Sequence, residues 1–159
     1  MMKRSIVLGA ALLLMGCAGQ LLPDDYAGQT AVVKDSHANY VGTDGLGLKP
    51  EHVELFAMTE VNGKLIRNTL RNTTSATMQG DGRLRITGAV RKVPIEPLKV
   101  ELVGEIYSTS PLLGPAAHRT QKTVSFTPVA DETYVVRGKL GPSGSDVWIE
   151  AADGRRVTQ

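Results

Sequence analysis

Leu98-Lys99-Val100-Glu101-Leu102-Val103-Gly104-Glu105-Ile106-Tyr107 is the stretch that decides the fold. Leu98, Val100, Leu102 and Ile106 alternate with Lys99, Glu101 and Glu105. Successive side chains of an extended chain point to opposite sides, so this pattern builds one apolar and one charged face of a half-buried strand. The same period of two recurs on either side. Residues 83–90 set Leu84, Ile86 and Val90 against Arg83, Arg85 and Thr87. Residues 122–127 place Val124 and Phe126 on one face, and 133–140 set Tyr134, Val136 and Leu140 against Thr133, Arg137 and Lys139. Further strands are read at 30–35, 52–61, 64–68 and 145–150, with a last piece at 155–157. Asn62-Gly63 separates two of them and favours a type I′ hairpin turn, because both of its central positions need positive φ. Pro94 and Pro97 bracket an edge or crossover, since proline cannot donate to a strand ladder. No stretch after residue 16 keeps a helical period. Short strands at roughly ten-residue spacing indicate an all-β domain, an antiparallel β-sandwich of about seven or eight strands.

The first residues follow a different rule. Lys3 and Arg4 precede an uncharged apolar run, residues 6–15 (IVLGAALLLM). As a helix that run spans roughly 15 Å, half of a bilayer core of about 30 Å, so it is too short to cross. A charged start, a short apolar core and a small residue before a cut mark a helical secretory signal peptide. Leu14-Met15-Gly16-Cys17 resembles the bacterial lipobox, with Met15 a mild departure from its usual small residue. The resemblance implies cleavage after Gly16 and a diacylglyceryl group on the Cys17 thiol. It divides the chain into a signal peptide at 1–16, a lipidated N-terminus and tether at 17–29, and a sandwich domain at 30–159. The tether is read as lifting the domain off the membrane. Ala18 and Gly19 follow Cys17 where family members retained in the inner membrane carry Asp, which implies the periplasmic side of the outer membrane.

Removing the leader changes the electrostatics. The eighteen basic and sixteen acidic residues leave a charge of +2, and Lys3 and Arg4 account for all of it. The remaining domain is formally neutral, so charge offers no argument for a nucleic-acid partner. Cys17 is the single cysteine, which excludes an intramolecular disulfide and a cysteine-based metal cluster.

Few residues carry a chemical signal. His37, His52 and His118 form no close-spaced pair with another metal ligand, and they are read as surface or loop residues. Asp35-Ser36-His37 contains the letters of a hydrolytic triad, but a triad needs convergence in space, and no GxSxG elbow is present. The glycine-rich run at 42–47 fits neither phosphate-binding loop and is read as a connection. No catalytic residue, metal or cofactor is assigned. Lys64, Arg67, Arg71, Arg83, Arg85, Arg91 and Lys92 form a basic middle with one acid, Asp81. Gathered on one face they would meet lipid phosphates or an acidic partner; the favoured reading pairs them across strands with Glu101 and Glu105. Leu112 and Leu113, in a long loop with His118, are read as folding back to cap the sandwich. Trp148 is read as a core residue, or else as a partner anchor.

Residues 56–66 (FAMTEVNGKLI), 134–138 (YVVRG) and 147–150 (VWIE) resemble small bacterial lipoproteins that carry an immunoglobulin- or transthyretin-like β-sandwich of unknown function. That resemblance implies the fold and no catalytic residue. The expected function is a membrane-anchored, non-enzymatic accessory or binding module. Its partners are the membrane, through Cys17, and another envelope protein, met through Arg67, Arg83, Arg85, Leu112, Leu113, His118 or Trp148. The alternatives are a ligand-binding or enzymatic site assembled from His118, Asp35, Glu54 and Arg137, and a basic face on anionic lipid.

Overall fold

The computed structural model describes residues 19–44, 46, 48–110, 112 and 118–158; the signal peptide expected at 1–16, Cys17 and Leu113 lie outside them. The strands are β1 (Thr30–Lys34), β2 (Ser36–Val41), β3 (His52–Val61), β4 (Lys64–Leu65), β5 (Val90–Pro94), β6 (Leu98–Ser108), β7 (Arg119–Phe126), β8 (Thr133–Lys139) and β9 (Asp146–Ala151), with one helix, α1 (Thr69–Met78). One sheet runs β5-β1-β8-β9 and the other β2-β3-β6-β7, with β4 added to β3. All pairings are antiparallel except β1 with β8.

The alternation in β6 does what its pattern demands. Leu98, Val100 and Leu102 enter the core between the sheets, where they meet Phe56, Met58, Val33, Val93, Val136 and Ile149. Lys99 is exposed and Glu101 lies on the outside. The hairpin at Asn62-Gly63 has positive φ at both residues, +50° and +77°, as a type I′ turn requires. Phe56 fixes the distance between sheets at one point. Its ring lies over Gly104, its cross-strand partner, and a side chain at Gly138 in the opposite sheet would run into it. This is the reason for glycine in the Tyr134–Gly138 stretch.

Strand β3 reads as a continuous apolar run because both of its faces are covered. Phe56 and Met58 face the inter-sheet core, whereas Val53, Leu55 and Ala57 are fully buried on the other side, where α1 packs. Neither α1 nor β2 was expected from sequence. Strand β2 lies at a sheet edge and buries little, so no apolar alternation marks it. Helix α1 has a buried face, but the face is Thr69, Thr73 and Thr77. The four-residue spacing is helical while the residue type is a poor helix former, and hydrophobic periodicity cannot register it. Asn68 starts the helix by accepting the Arg71 N–H at 3.1 Å.

The three threonines explain residues 83–89, which were expected to form a strand beside β6. The segment is extended but has no strand neighbour before β5. Instead the N–H groups of Arg85, Thr87 and Ala89 donate to the hydroxyl oxygens of Thr77, Thr73 and Thr69, at 3.1, 3.1 and 2.9 Å. Four helical residues rise about 6 Å and two extended residues about 6.6 Å, so every fourth residue of α1 meets every second residue of the segment.

Asp35 sits where the chain leaves one sheet for the other. Its side chain is wholly buried, and its carboxylate accepts four hydrogen bonds. Arg91 of β5 donates through both terminal nitrogens, at 2.8 and 2.7 Å. The N–H of Met58 donates at 3.0 Å and that of Thr69, at the start of α1, at 2.8 Å. Along this edge of β3, β2 reaches Phe56 and β4 begins opposite Glu60. The Asp35 carboxylate therefore occupies the gap between two partner strands and satisfies an N–H that would otherwise be orphaned.

Two substitutions test this arrangement by urea denaturation. Asp35→Asn, which leaves the Arg91 guanidinium buried without its counter-charge, is expected to cost about 3–5 kcal/mol; a loss below about 1 kcal/mol would show the pair to be dispensable. Thr73→Val strands the Thr87 N–H and is expected to cost about 1–3 kcal/mol, with Thr73→Ser retaining most of the stability. Equal losses for Val and Ser would locate the effect in packing instead.

Candidate functional site

The N-terminal segment of the described chain does not extend away from the domain as a tether would. Gly19 forms a parallel bridge with Ile66, and Leu21 packs against the core. The chain then turns at Pro23, whose carbonyl accepts the Tyr26 N–H at 3.1 Å, and reaches β1 at Thr30. Between this segment, the start of α1 and residues 88–92 lies a cleft of about 650 Å³. Arg67, Asn72, Lys92 and Asp24 line it, together with the half-buried Leu21 and Leu22. Arg67 and Lys92 are exposed; Arg91 also borders the cleft, but its guanidinium is committed to Asp35.

The basic middle is not one face. Arg67 precedes α1, while Arg83 and Arg85 follow it, so about 15 Å of helix separates them. Arg85 pairs with Asp81 at 3.5 Å, and Arg71 lines a second cleft beside Glu101, Glu105 and Arg119. Among the described residues the expected cross-strand pairing with Glu101 and Glu105 is also absent. Glu101 accepts from the Thr59 hydroxyl and the Gln121 amide, both at 2.7 Å, and Glu105 pairs with Arg119 of the adjoining β7. The physical reason is the one given above: residues 83–89 dock on α1, not on β6.

Trp148 faces outward. Val147, Ile149 and Ala151 are the buried residues of β9, and the period of two leaves no room for Trp148 among them. Arg156 lies over its ring, 4.8 Å from the centroid, and its indole N–H donates to Glu150 at 3.4 Å. The half-buried Trp148 is thus partly occupied by its own chain as a cation–π partner. Beside it, Asp146 of β9 joins that strand to β7, the outermost strand of the other sheet. It accepts from Lys122 of β7 at 2.7 Å, from Arg156 at 2.6 Å and from the Val147 N–H at 2.8 Å. Burial, the largest single influence, raises the Asp146 pKa, but the hydrogen bonds from Lys122, Arg156 and Val147 together outweigh it and hold the carboxyl below its ordinary value.

The end of the sandwich away from Gly19 and Ile66 carries exposed hydrocarbon. Leu112 is 95 % exposed and does not cap the core; Leu46 and Leu48 of the β2–β3 loop are 82 % and 72 % exposed. The two loops share this end because Thr109 and Glu51 exchange backbone and hydroxyl hydrogen bonds. His118 is half-buried at the start of β7, His37 is exposed on β2, and the Nδ1 of the half-buried His52 has no partner among the described residues. Asp35 is spent on Arg91, and Arg137 on the outer face of β8 pairs with Glu150 at 3.8 Å. None of His118, Asp35, Glu54 and Arg137 borders the cleft by the N-terminal segment, the one under α1 or the one beneath the β2–β3 loop. Among the described residues no group of three or more His, Cys, Asp or Glu side chains is placed to hold a metal, and no helix is long and apolar enough to cross a membrane. Comparison of the chain with protein families, curated proteins and solved structures finds no match.

Because the Asp146 carboxyl is held below its ordinary value, its contribution to stability is present at neutral pH and is lost as pH falls through the folded-state value. Asp146→Asn is expected to lower the Tm near pH 7, and the gap to the parent protein is expected to close below about pH 4. A gap that stays constant across this range would remove Asp146 titration as its source.

Proposed function

We propose that this chain is a bacterial lipoprotein, anchored through lipid on Cys17, whose β-sandwich serves as a non-enzymatic accessory or binding module in the cell envelope. The observation that carries the reading is Leu14-Met15-Gly16-Cys17 at the end of a charged start and a short apolar run. Acyl chains supply the attachment: each buried methylene contributes about 0.8 kcal/mol, and two or more chains make the anchoring stable. Ala18 and Gly19 after Cys17 favour the periplasmic face of the outer membrane.

The rest of the molecule supports a binding role over chemistry by what its polar groups are used for. The buried acid, Asp35, is saturated by donors, and the threonines of α1 hold backbone. Exposed leucines at 46, 48 and 112 instead offer an apolar end to an envelope protein.

Metabolic labelling with palmitate in a bacterial host tests the anchor. The parent chain is expected to take up label and shorten, and Cys17→Ser to do neither. Label persisting in Cys17→Ser would overturn the lipoprotein reading. In the same cells, a photo-crosslinking residue at Leu112 is expected to capture a protein adduct that one at Asp153 does not. Equal capture from both positions would count against the leucine-bearing end as the docking surface.

A further inference from the structure

We propose that the domain seats directly on the anionic headgroup layer of the bilayer that holds its lipid, through the face around Gly19, with Arg67 and Lys92 contacting lipid phosphates. The proposal rests on the lipoprotein reading and adds an orientation and a surface to it. Its first support is chain length. Gly19 is bridged to Ile66 and Leu21 is packed on the core, so the chain is already docked on the domain at Gly19. Only Ala18 stands between it and Cys17. Two residues span at most about 7 Å, less than the depth of a headgroup layer of roughly 5–8 Å together with any useful clearance. The surface beside Gly19 is therefore forced against the headgroups.

Charge at that surface is the second support. Arg67 adjoins Ile66, and Lys92 lies across the cleft on β5. Both are exposed, and neither enters an ion pair among the described residues. Arg91 between them is neutralised by Asp35 and takes no part. One acid of the segment, Asp24, lines the cleft with them and already accepts from the Gln20 amide at 2.8 Å; the neighbouring Asp25 is exposed. The domain as a whole is neutral, so no long-range field draws it to the membrane; the short linker imposes the contact, and the two cations select anionic lipid. Each basic side chain near an anionic leaflet strengthens attachment about fivefold. Tyr26, 39 % exposed on the same rim, has the amphipathic ring that favours the interface. The other end of the molecule follows from β3: about seven strand residues, roughly 23 Å, separate Thr59, whose carbonyl accepts the Ile66 N–H, from His52. The leucines at 46, 48 and 112 point away from the membrane.

Cys17 is consumed by lipid, so an added cysteine is the only free thiol for a nitroxide label. The lipidated full chain carrying Val90→Cys, on the rim of the cleft, or Leu112→Cys is reconstituted into vesicles of phosphatidylethanolamine containing phosphatidylglycerol. Collision with lipid-phase oxygen and with an aqueous nickel chelate then reports depth. The Val90 label is expected at headgroup depth and the Leu112 label in water. Adding Arg67→Glu and Lys92→Glu is expected to tilt the face about Gly19 and shift the Val90 label measurably toward water while acylation and the circular dichroism spectrum are unchanged. A Val90 label as aqueous as the Leu112 label in acylated protein overturns the seating. A Val90 label unmoved by the double charge reversal overturns the role of the two cations. Protein that is never acylated removes the lipoprotein reading itself, a failure distinguishable from the other two by palmitate incorporation.

Discussion

The carboxylate of Asp35 is the constraint on which the arrangement depends. A single side chain with no solvent contact holds the turn from one sheet to the other, an open position on β3, the first N–H of α1 and the guanidinium of β5. Burying a carboxylate costs several kcal/mol unless its oxygens are fully satisfied. Here each oxygen receives one backbone and one guanidinium hydrogen bond, and the bidentate geometry is one that lysine at position 91 would not reproduce. A helix N-terminus also favours negative charge, so the same group that closes the sheets orients the helix. Removing this contact would release four elements at once. That makes the pair a determinant of which packing forms, beyond any net stability it adds.

Much of the sandwich is legible in the residues. Strands β6, β8 and β9 alternate because one face of each meets the opposite sheet, and Asn62-Gly63 turns where its φ values require. Legibility fails where burial is achieved without hydrocarbon. The buried stripe of α1 is hydroxyl-bearing, so a scan for apolar period sees nothing, although Thr69, Thr73 and Thr77 carry the spacing in plain view. A run of threonines four apart, followed by an extended segment with an unpaired edge, is the signal that would have found it. Strand β2 fails for the opposite reason, since an edge strand with few buried residues has no pattern to show.

The candidate sites divide the same way. The likeness of residues 14–17 to a lipobox is local and can be read without a structure. The basic middle is a property of neighbours in sequence, and α1 separates Arg67 from Arg83 and Arg85 in space. Trp148 illustrates a rule about competition. A large aromatic at one position favours burial, yet Val147, Ile149 and Ala151 share the other face, and the strand cannot bury both sets against one sheet. The letters Asp35-Ser36-His37 do not disclose that the first is a structural anchor, because its partners come from residues 58, 69 and 91.

The threonine rungs between α1 and the segment at 83–89 behave as a vernier. Each helical step of four residues falls short of the matching extended step by about 0.6 Å, so by the third rung the offset is about 1.2 Å. A fourth or fifth rung would stretch beyond hydrogen-bonding range unless one partner bent. Helix α1 stops at Met78, one residue past the last threonine that can be matched. The two backbone repeats are thus incommensurate, and three rungs are short enough to accommodate the mismatch. A longer version of this region would keep its rungs in register only through coupled increments, four residues in the helix for two in the segment, with one partner bending to absorb the offset.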